Sequence, residues 1–406
     1  MPQPSPFHSR TLPLCTSMQW MDWAGFAAVS CYSAYSEREY HAIRQSAALI
    51  DVSPLFKYEV TGSDAARALS MLMCRDVSSI SRGRVLYTSW VDEAGMMLDD
   101  GTVARIGEQH YRVTSSEPWL RWFNVHSQGL DVQFEDSTHQ LAALSLQGPN
   151  ARNVLLPIVD FDMNKMRFFR IRKTRLAGIE VWISRTGYTG DLGYEIWVDS
   201  DHAIAVWDAL IQAGAHWGLE PCGLDAMDIA RIEAGFVLQG VDYVSARNCF
   251  LERQKSSPYE AGLGWTVELD RDPFIGQAAL RAEKENGSKW AMVGLEMDWD
   301  SLETVCDLYG LPPALSPHAW RCGLPVYNEQ GNQQIGYATS GAWSPILKKN
   351  LSLATLPTQM AAIGQRVLLE HTVEYQRYKV LATVVERPFF DPPQKRSVPG
   401  LEKSNG

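Results

Sequence analysis

Four stretches bring together residue types able to bind or protonate a ligand. The first is Leu98-Asp99-Asp100-Gly101, a carboxylate pair between two apolar runs, 85–91 and 102–106, that read as strands. Neighbouring side chains on an extended chain point to opposite faces, so only one of the two carboxylates can look into a given cavity. A buried carboxylate beside a ligand amine could hold a proton or stabilise developing positive charge. For so short a signal the alternative is a polar turn. The second stretch is Arg185-Thr186-Gly187-Tyr188-Thr189-Gly190-Asp191-Leu192-Gly193-Tyr194-Glu195. Its glycines permit tight turns and close approach of a ligand to the backbone. The loop delivers Glu195 to the head of an apolar strand with Ile196 and Val198, where a carboxylate is costly unless paired. A ring edge with two parallel N–H donors, as in a pterin or a purine, would pair it; a solvent-facing hairpin is the other use of such a loop.

The third stretch runs from Pro221 through Arg231 to Gly235 and reads as a helix with a stripe of Ala226, Ile229 and Ala230. Met227 and Arg231 share one face at i and i+4, and Gly235 sits where a C-cap belongs. By itself this is an ordinary amphipathic helix. The fourth is Tyr259-Glu260-Ala261-Gly262-Leu263-Gly264-Trp265-Thr266, followed by Phe274-Ile275-Gly276, in a chain with 14 tryptophans. Aromatic walls suit flat heterocycles and methylated substrates, and also plain core packing.

The elements that must position these residues follow from periodicity. Residues 37–48 have helical spacing, 58–60 reads as strand, and Ser63 is placed to cap a helix through Ala65, Ala68 and Leu69. An apolar strand at 141–146 is punctuated by Gly148-Pro149 before a helix from Asn150. Strand pattern returns at 180–184 and 194–198, and helices are expected over 203–213 and 223–234. The stretch 298–320 carries three prolines and mixed polarity and reads as a long loop.

A chain of 406 residues is long enough for two or three domains. The division expected is 1–140, 141–285 and a β-rich 286–390, with a disordered Pro-rich tail over 391–406. A formal net charge of −10 argues against a nucleic-acid partner, and the densest basic stretch, 167–175, alternates with apolar residues like a strand. Seven scattered cysteines form no CxxC pair, and nine dispersed histidines form no HxH or HExxH cluster, so neither a disulfide framework nor a metal site is expected. The N-terminal residues lack the apolar core of a signal peptide, and 20–35 is too short and polar to span a bilayer. A cytoplasmic protein without a membrane partner is expected.

In order and spacing, these signals together resemble the aminomethyltransferase (T-protein) superfamily of glycine cleavage. The resemblance is carried by Ile50-Asp51-Val52-Ser53, Leu86-Tyr87, Asp99-Asp100, Leu146-Gln147-Gly148-Pro149, the Thr186–Gly190 loop, Gly193-Tyr194-Glu195, Arg231-Ile232-Glu233-Ala234-Gly235, Gly264-Trp265 and Thr339-Ser340-Gly341-Ala342-Trp343-Ser344-Pro345. It covers roughly residues 20 to 390. It implies an α+β fold, a three-domain cloverleaf around a central folate cavity with a β-rich C-terminal domain, and tetrahydrofolate as cofactor. By the same resemblance Asp100 is the aspartate beside the reacting folate nitrogens, Tyr87 packs on the pterin and Glu195 grips the pterin edge. Tyr188, Arg231, Ser116 and Trp265 line the same cavity, and Asp100, Tyr188 and Tyr87 are the catalytic candidates.

The chain departs from the glycine-cleavage pattern in three places. Ser53-Pro54-Leu55 stands where those proteins read Ser-His-Met, a serine (Ser116) stands near their strand asparagine, and Met227 replaces their arginine. Loss of a buried arginine removes a two-pronged anion contact. On these departures the chain is similar to the tetrahydrofolate-dependent demethylases of the same fold. The expectation is therefore methyl transfer from a small O-, S- or N-methyl donor to N5 of tetrahydrofolate, with an aromatic methyl ether favoured by Trp20 and Trp23. The alternatives are a true aminomethyltransferase working with a lipoyl carrier protein, and a non-catalytic folate-binding regulator. A partner of an amine oxidase would be fused to a flavin domain, and no GxGxxG occurs.

Overall fold

The strands take the period-two segments and the helices the period-3.6 ones, and the chain closes them into two compact units. The computed structural model describes residues 1–399. The first unit holds Met1–Thr88, Asp99–Ala230 and the described residues from Asp391 on; the second holds Ser89–Leu98 and Arg231–Phe390. The architecture is mixed α+β, as expected.

In the first unit a six-stranded sheet runs in the order Ile171–Leu176, Ile179–Ser184, Gly193–Asp199, Leu141–Gln147, Ala47–Asp51, Leu219–Pro221. Its core face is apolar at alternate positions, with Leu144, Leu146, Ile183, Ile196 and Val198 buried together. The helix Ala203–Gly214 covers that face through Val206, Trp207 and Leu210, which recur at helical spacing. A five-stranded sheet follows the order Val85–Val91, Met97–Arg105, His110–Ser115, Phe56–Thr61, Gln133–Asp136. Beneath it lies the Lys57 ammonium, which donates to the carbonyls of Ser53 (2.6 Å), Leu55 (2.8 Å) and Thr138 (3.3 Å) and so clamps the 53–55 turn.

In the second unit, six strands close into a barrel: Trp290–Met297, Lys349–Pro357, Gln334–Ser344, Leu324–Asn328, Arg366–Val373 and Gln376–Val385. Its interior is Leu295, Val326, Ala338, Leu356, Val367, Leu369 and Val384. Closure removes the unpaired edges that an open sheet would leave. The Thr339-Ser340-Gly341 motif is a structural device of this unit. Both hydroxyls donate to Asp242 Oδ1, at 2.5 and 2.6 Å. A Cβ on Gly341 would lie 2.3 Å from the Trp320 ring, so only glycine fits there.

Several expected boundaries move. The helix forecast over 37–48 is Glu37–Gln45, and Ala47 already starts a strand, because Ala47 to Ile50 pair with neighbours in the six-stranded sheet. Ser63 is not the cap: its hydroxyl donates to Asp131, and Asp64 holds the N-cap position. Within 298–320 the structure forms the helix Trp299–Asp307, capped by Asp298 accepting from Ser301 N at 2.8 Å. Its buried stripe Leu302, Val305, Cys306 has helical spacing that the prolines further on had obscured. The tail forecast from 391 holds a short helical turn, Pro393–Lys395, and the Arg185 guanidinium donates to the carbonyls of Gln394, Lys395 and Ser397. Residues 400–406 of that forecast lie outside the described residues. Among the described residues no helix is long and apolar enough to cross a membrane.

Candidate active site

The carboxylate pair divides as strand geometry requires. Asp99, on the strand Met97–Arg105, is fully buried, whereas Asp100 is half-buried on the opposite face. Asp99 accepts five hydrogen bonds: from Ser116 Oγ, the backbone N–H of Asp100 (2.8 Å), Ser116 (3.2 Å) and Glu117 (3.0 Å), and Trp119 Nε1 (2.7 Å). It staples the segment after His110–Ser115 onto its neighbouring strand. Ser116 is therefore committed to Asp99.

Asp100 faces the other way and meets a different partner. The Tyr87 hydroxyl, from the strand Val85–Val91, donates to Asp100 Oδ2 at 2.5 Å. Burial, then the Asp100 carboxylate, hold the Tyr87 phenol well above its ordinary value, so it stays protonated and keeps donating. Tyr188 lies near enough to add to that push. These three predicted residues are brought together.

Glu195 sits on the strand Gly193–Asp199, facing Ser145 on one neighbour strand and Ser184 on the other. Its Oε2 accepts from Thr186 Oγ1 at 2.5 Å and Ser184 Oγ at 3.4 Å. Burial raises its carboxyl above the usual range, against the pull of those two hydroxyls. Glu195 lines a cleft with Val85, Thr102, Ala104, Arg112, Thr114, Ile171, Ser184 and Trp197. Val85 is two residues from Tyr87 and Thr102 two from Asp100, so strand alternation puts both pairs on one side of their sheet. The glycines of the neighbouring loop answer to packing: a Cβ on Gly187 or Gly193 would fall 2.2 or 2.1 Å from the Gln147 side chain. Gln147, fully buried, accepts from Thr189 Oγ1 at 2.8 Å, which ties two of the sequence motifs into one contact.

The other two predicted residues belong to the second unit. Arg231, at the end of the helix Leu224–Glu233, is fully buried, ion-paired with Asp242 and bonded to the Phe236 carbonyl. Trp265, in the one-turn helix Gly264–Thr266, is 61% exposed. Sequence reasoning missed Thr102, Thr114 and Arg112. For Arg112 and Thr114 the signal lay in the alternation of His110–Ser115, where a charged residue falls on the inward face.

The sequence matches the family model described as the GCVT N-terminal domain over residues 14–271. It matches the glycine cleavage T-protein C-terminal barrel domain over 308–391. It is 34% identical to an aminomethyltransferase of Caldanaerobacter subterraneus over 376 residues, 91% of each chain. It is 35% identical to an aminomethyltransferase of Bacillus subtilis over 91% of this chain and 94% of that one. The crystal structure of the glycine cleavage aminomethyltransferase T of Bartonella henselae superposes with a TM-score of 0.81 at 23% identity, covering 96% of this chain and 99% of that one, a likeness of fold. These relatives correct the expected reaction. Proteins similar over nine-tenths of the length are aminomethyltransferases, which overturns demethylation of a small methyl donor.

Proposed function

The chain belongs to the glycine-cleavage T-protein family, and from that premise we propose that it is an aminomethyltransferase. It takes the aminomethyl group carried on the lipoyl arm of a partner protein, releases ammonia and passes the one-carbon unit to tetrahydrofolate. The observation that carries this is the match to aminomethyltransferases along nine-tenths of both chains. Tetrahydrofolate is the cofactor of this family, and when bound it supplies two amine nitrogens that share the one-carbon unit as a methylene bridge.

The cleft around Glu195 suits such a ligand. A buried carboxylate whose hydrogen bonds come from two hydroxyls, with no cation paired to it among the described residues, needs donors. The N–H edge of a pterin offers two in parallel. On this proposal Glu195 binds that edge, and Tyr87 and Tyr188 wall the ring. Asp100, held by the Tyr87 hydroxyl, stabilises positive charge and holds the proton at the reacting amine. Ser116 acts as a support through Asp99. In the second unit Arg231 is committed to Asp242, and Trp265 presents an exposed aromatic face.

The test is an incubation of purified chain with tetrahydrofolate and an aminomethyl-loaded lipoyl carrier protein, followed by chromatography and an ammonia assay. 5,10-Methylenetetrahydrofolate and ammonia should appear together, and only with the loaded carrier. Absence of both products over a no-enzyme control rejects the proposal.

A further inference from the structure

Among the described residues lining the Glu195 cleft, Arg112 alone carries a fixed positive charge. It is 5% exposed. Its Nε donates to Glu59 Oε1 at 2.6 Å, and its guanidinium stands 5.9 Å from the centre of the Trp197 ring. Its Nη1 is enclosed and has no acceptor. A buried donor left unpaired costs about 1–3 kcal/mol, more on a charged group, so an orphan of this kind points to an acceptor that arrives from outside.

The rest of the wall says what that acceptor belongs to. Thr102 and Thr114 satisfy each other, hydroxyl to hydroxyl at 2.7 Å. Val85, Ala104 and Ile171 make apolar sides. What remains for a ligand is one acceptor-only group, Glu195, and two donor-only groups, Arg112 and the Trp197 indole N–H, which is likewise enclosed without an acceptor. A complementary edge must therefore show N–H donors and a carbonyl oxygen side by side. The 2-amino-4-oxo end of a pterin has this pattern.

Resting on the tetrahydrofolate reading above, we infer that Arg112 is a ligand-contacting specificity residue, its Nη1 donating to the 4-oxo oxygen of the ring whose N–H edge Glu195 accepts. A 2,4-diamino ring places an N–H group where Arg112 also presents one, and the wild-type cleft discriminates against it. Lysine would not substitute, because the guanidinium fork is needed to hold Glu59 and the ligand at once.

The experiment measures affinity for tetrahydrofolate and for its 2,4-diamino counterpart by calorimetry, in wild type, Arg112→Met and Glu59→Gln. Arg112→Met should weaken tetrahydrofolate binding about ten- to a hundredfold while leaving the diamino analogue within about threefold, as expected for loss of a charge-assisted bond. Glu59→Gln also breaks the Arg112–Glu59 pair and controls for lost stability. It should lower the melting temperature yet keep the preference between the two ligands. An Arg112→Met protein that loses both ligands equally, or keeps the wild-type ratio, overturns the assignment to Arg112 alone. Wild type that binds neither ligand overturns the tetrahydrofolate reading as well.

Discussion

Replacing Asp99 and Asp100 one at a time by asparagine should separate a structural carboxylate from a chemical one at adjacent positions. In Asp99→Asn the new amide keeps the shape but turns one acceptor oxygen into a donor. Oδ1 accepts two bonds and Oδ2 accepts three, all but that of the Ser116 hydroxyl from groups fixed by the backbone or by Trp119. The cheaper orientation places the amide nitrogen at Oδ1, facing the Asp100 N–H, while the Ser116 hydroxyl can turn to accept. At least one buried donor is then orphaned at about 1–3 kcal/mol, and the remaining bonds lose their charge assistance. The sum is about 2–4 kcal/mol. A unit of this size shifts by about 2–4 °C per kcal/mol, so its melting midpoint should fall by roughly 4–16 °C. In Asp100→Asn the half-buried side chain can still accept from Tyr87, so stability should change by less than about 1 kcal/mol. Turnover to methylenetetrahydrofolate should fall by about a hundredfold or more with the loss of the charge. Differential scanning calorimetry and the carrier-dependent assay read the two effects. Equal melting of the two variants, or an Asp100→Asn enzyme with near-normal turnover, would refute the division of labour.

Glu195→Gln replaces an acceptor-only group with one that offers a donor to an N–H edge, and tetrahydrofolate affinity should weaken about ten- to a hundredfold by calorimetry with the melting midpoint little changed. Asp242→Asn leaves Arg231 buried without its charge partner and removes the acceptor of Thr339 and Ser340; it should destabilise the second unit by about 3–5 kcal/mol, seen in denaturant midpoints. Burial depresses the Lys57 ammonium to about 7. A base whose folded value lies below its unfolded value of about 10.4 resists charging in the fold, so stability should decline as pH falls from about 10 to about 7 and level off below. Subtracting the pH profile of Lys57→Met from that of wild type should isolate this slope, and parallel profiles would count against it.

The α+β class, the β-rich C-terminal unit and most strands of the first unit were legible because their signals are local. Period-two runs survive folding, 85–91 with its ends unmoved and 194–198 extended by one residue at each end. The barrel's closure was not legible, since it depends on pairing Trp290–Met297 with Gln376–Val385, a register that no local pattern encodes. The helix Trp299–Asp307 was hidden by the prolines that follow it. Of the site, Asp100, Tyr87 and Glu195 were readable from residue type and motif. Arg112 was not, because its significance is an unfilled valence: its Nε partner, Glu59, is 53 residues away and its Nη1 has none.

The mistaken demethylase reading has the same physical origin. It treated three departures from the glycine-cleavage pattern as changes in the walls of the pocket. In the first, Pro54 and Leu55 are the residues that differ, and they lie in a turn that Lys57 clamps through the Ser53 and Leu55 carbonyls. Ser116 spends both its hydroxyl and its N–H on Asp99. Both positions belong to supporting structure, which can change residue type while the reaction stays the same. Substitutions at Asp100, Tyr87 or Glu195 would have been evidence about chemistry, since those are the groups proposed to meet the ligand. All three are retained here, so the departures at 54–55 and 116 could not distinguish methyl from aminomethyl transfer.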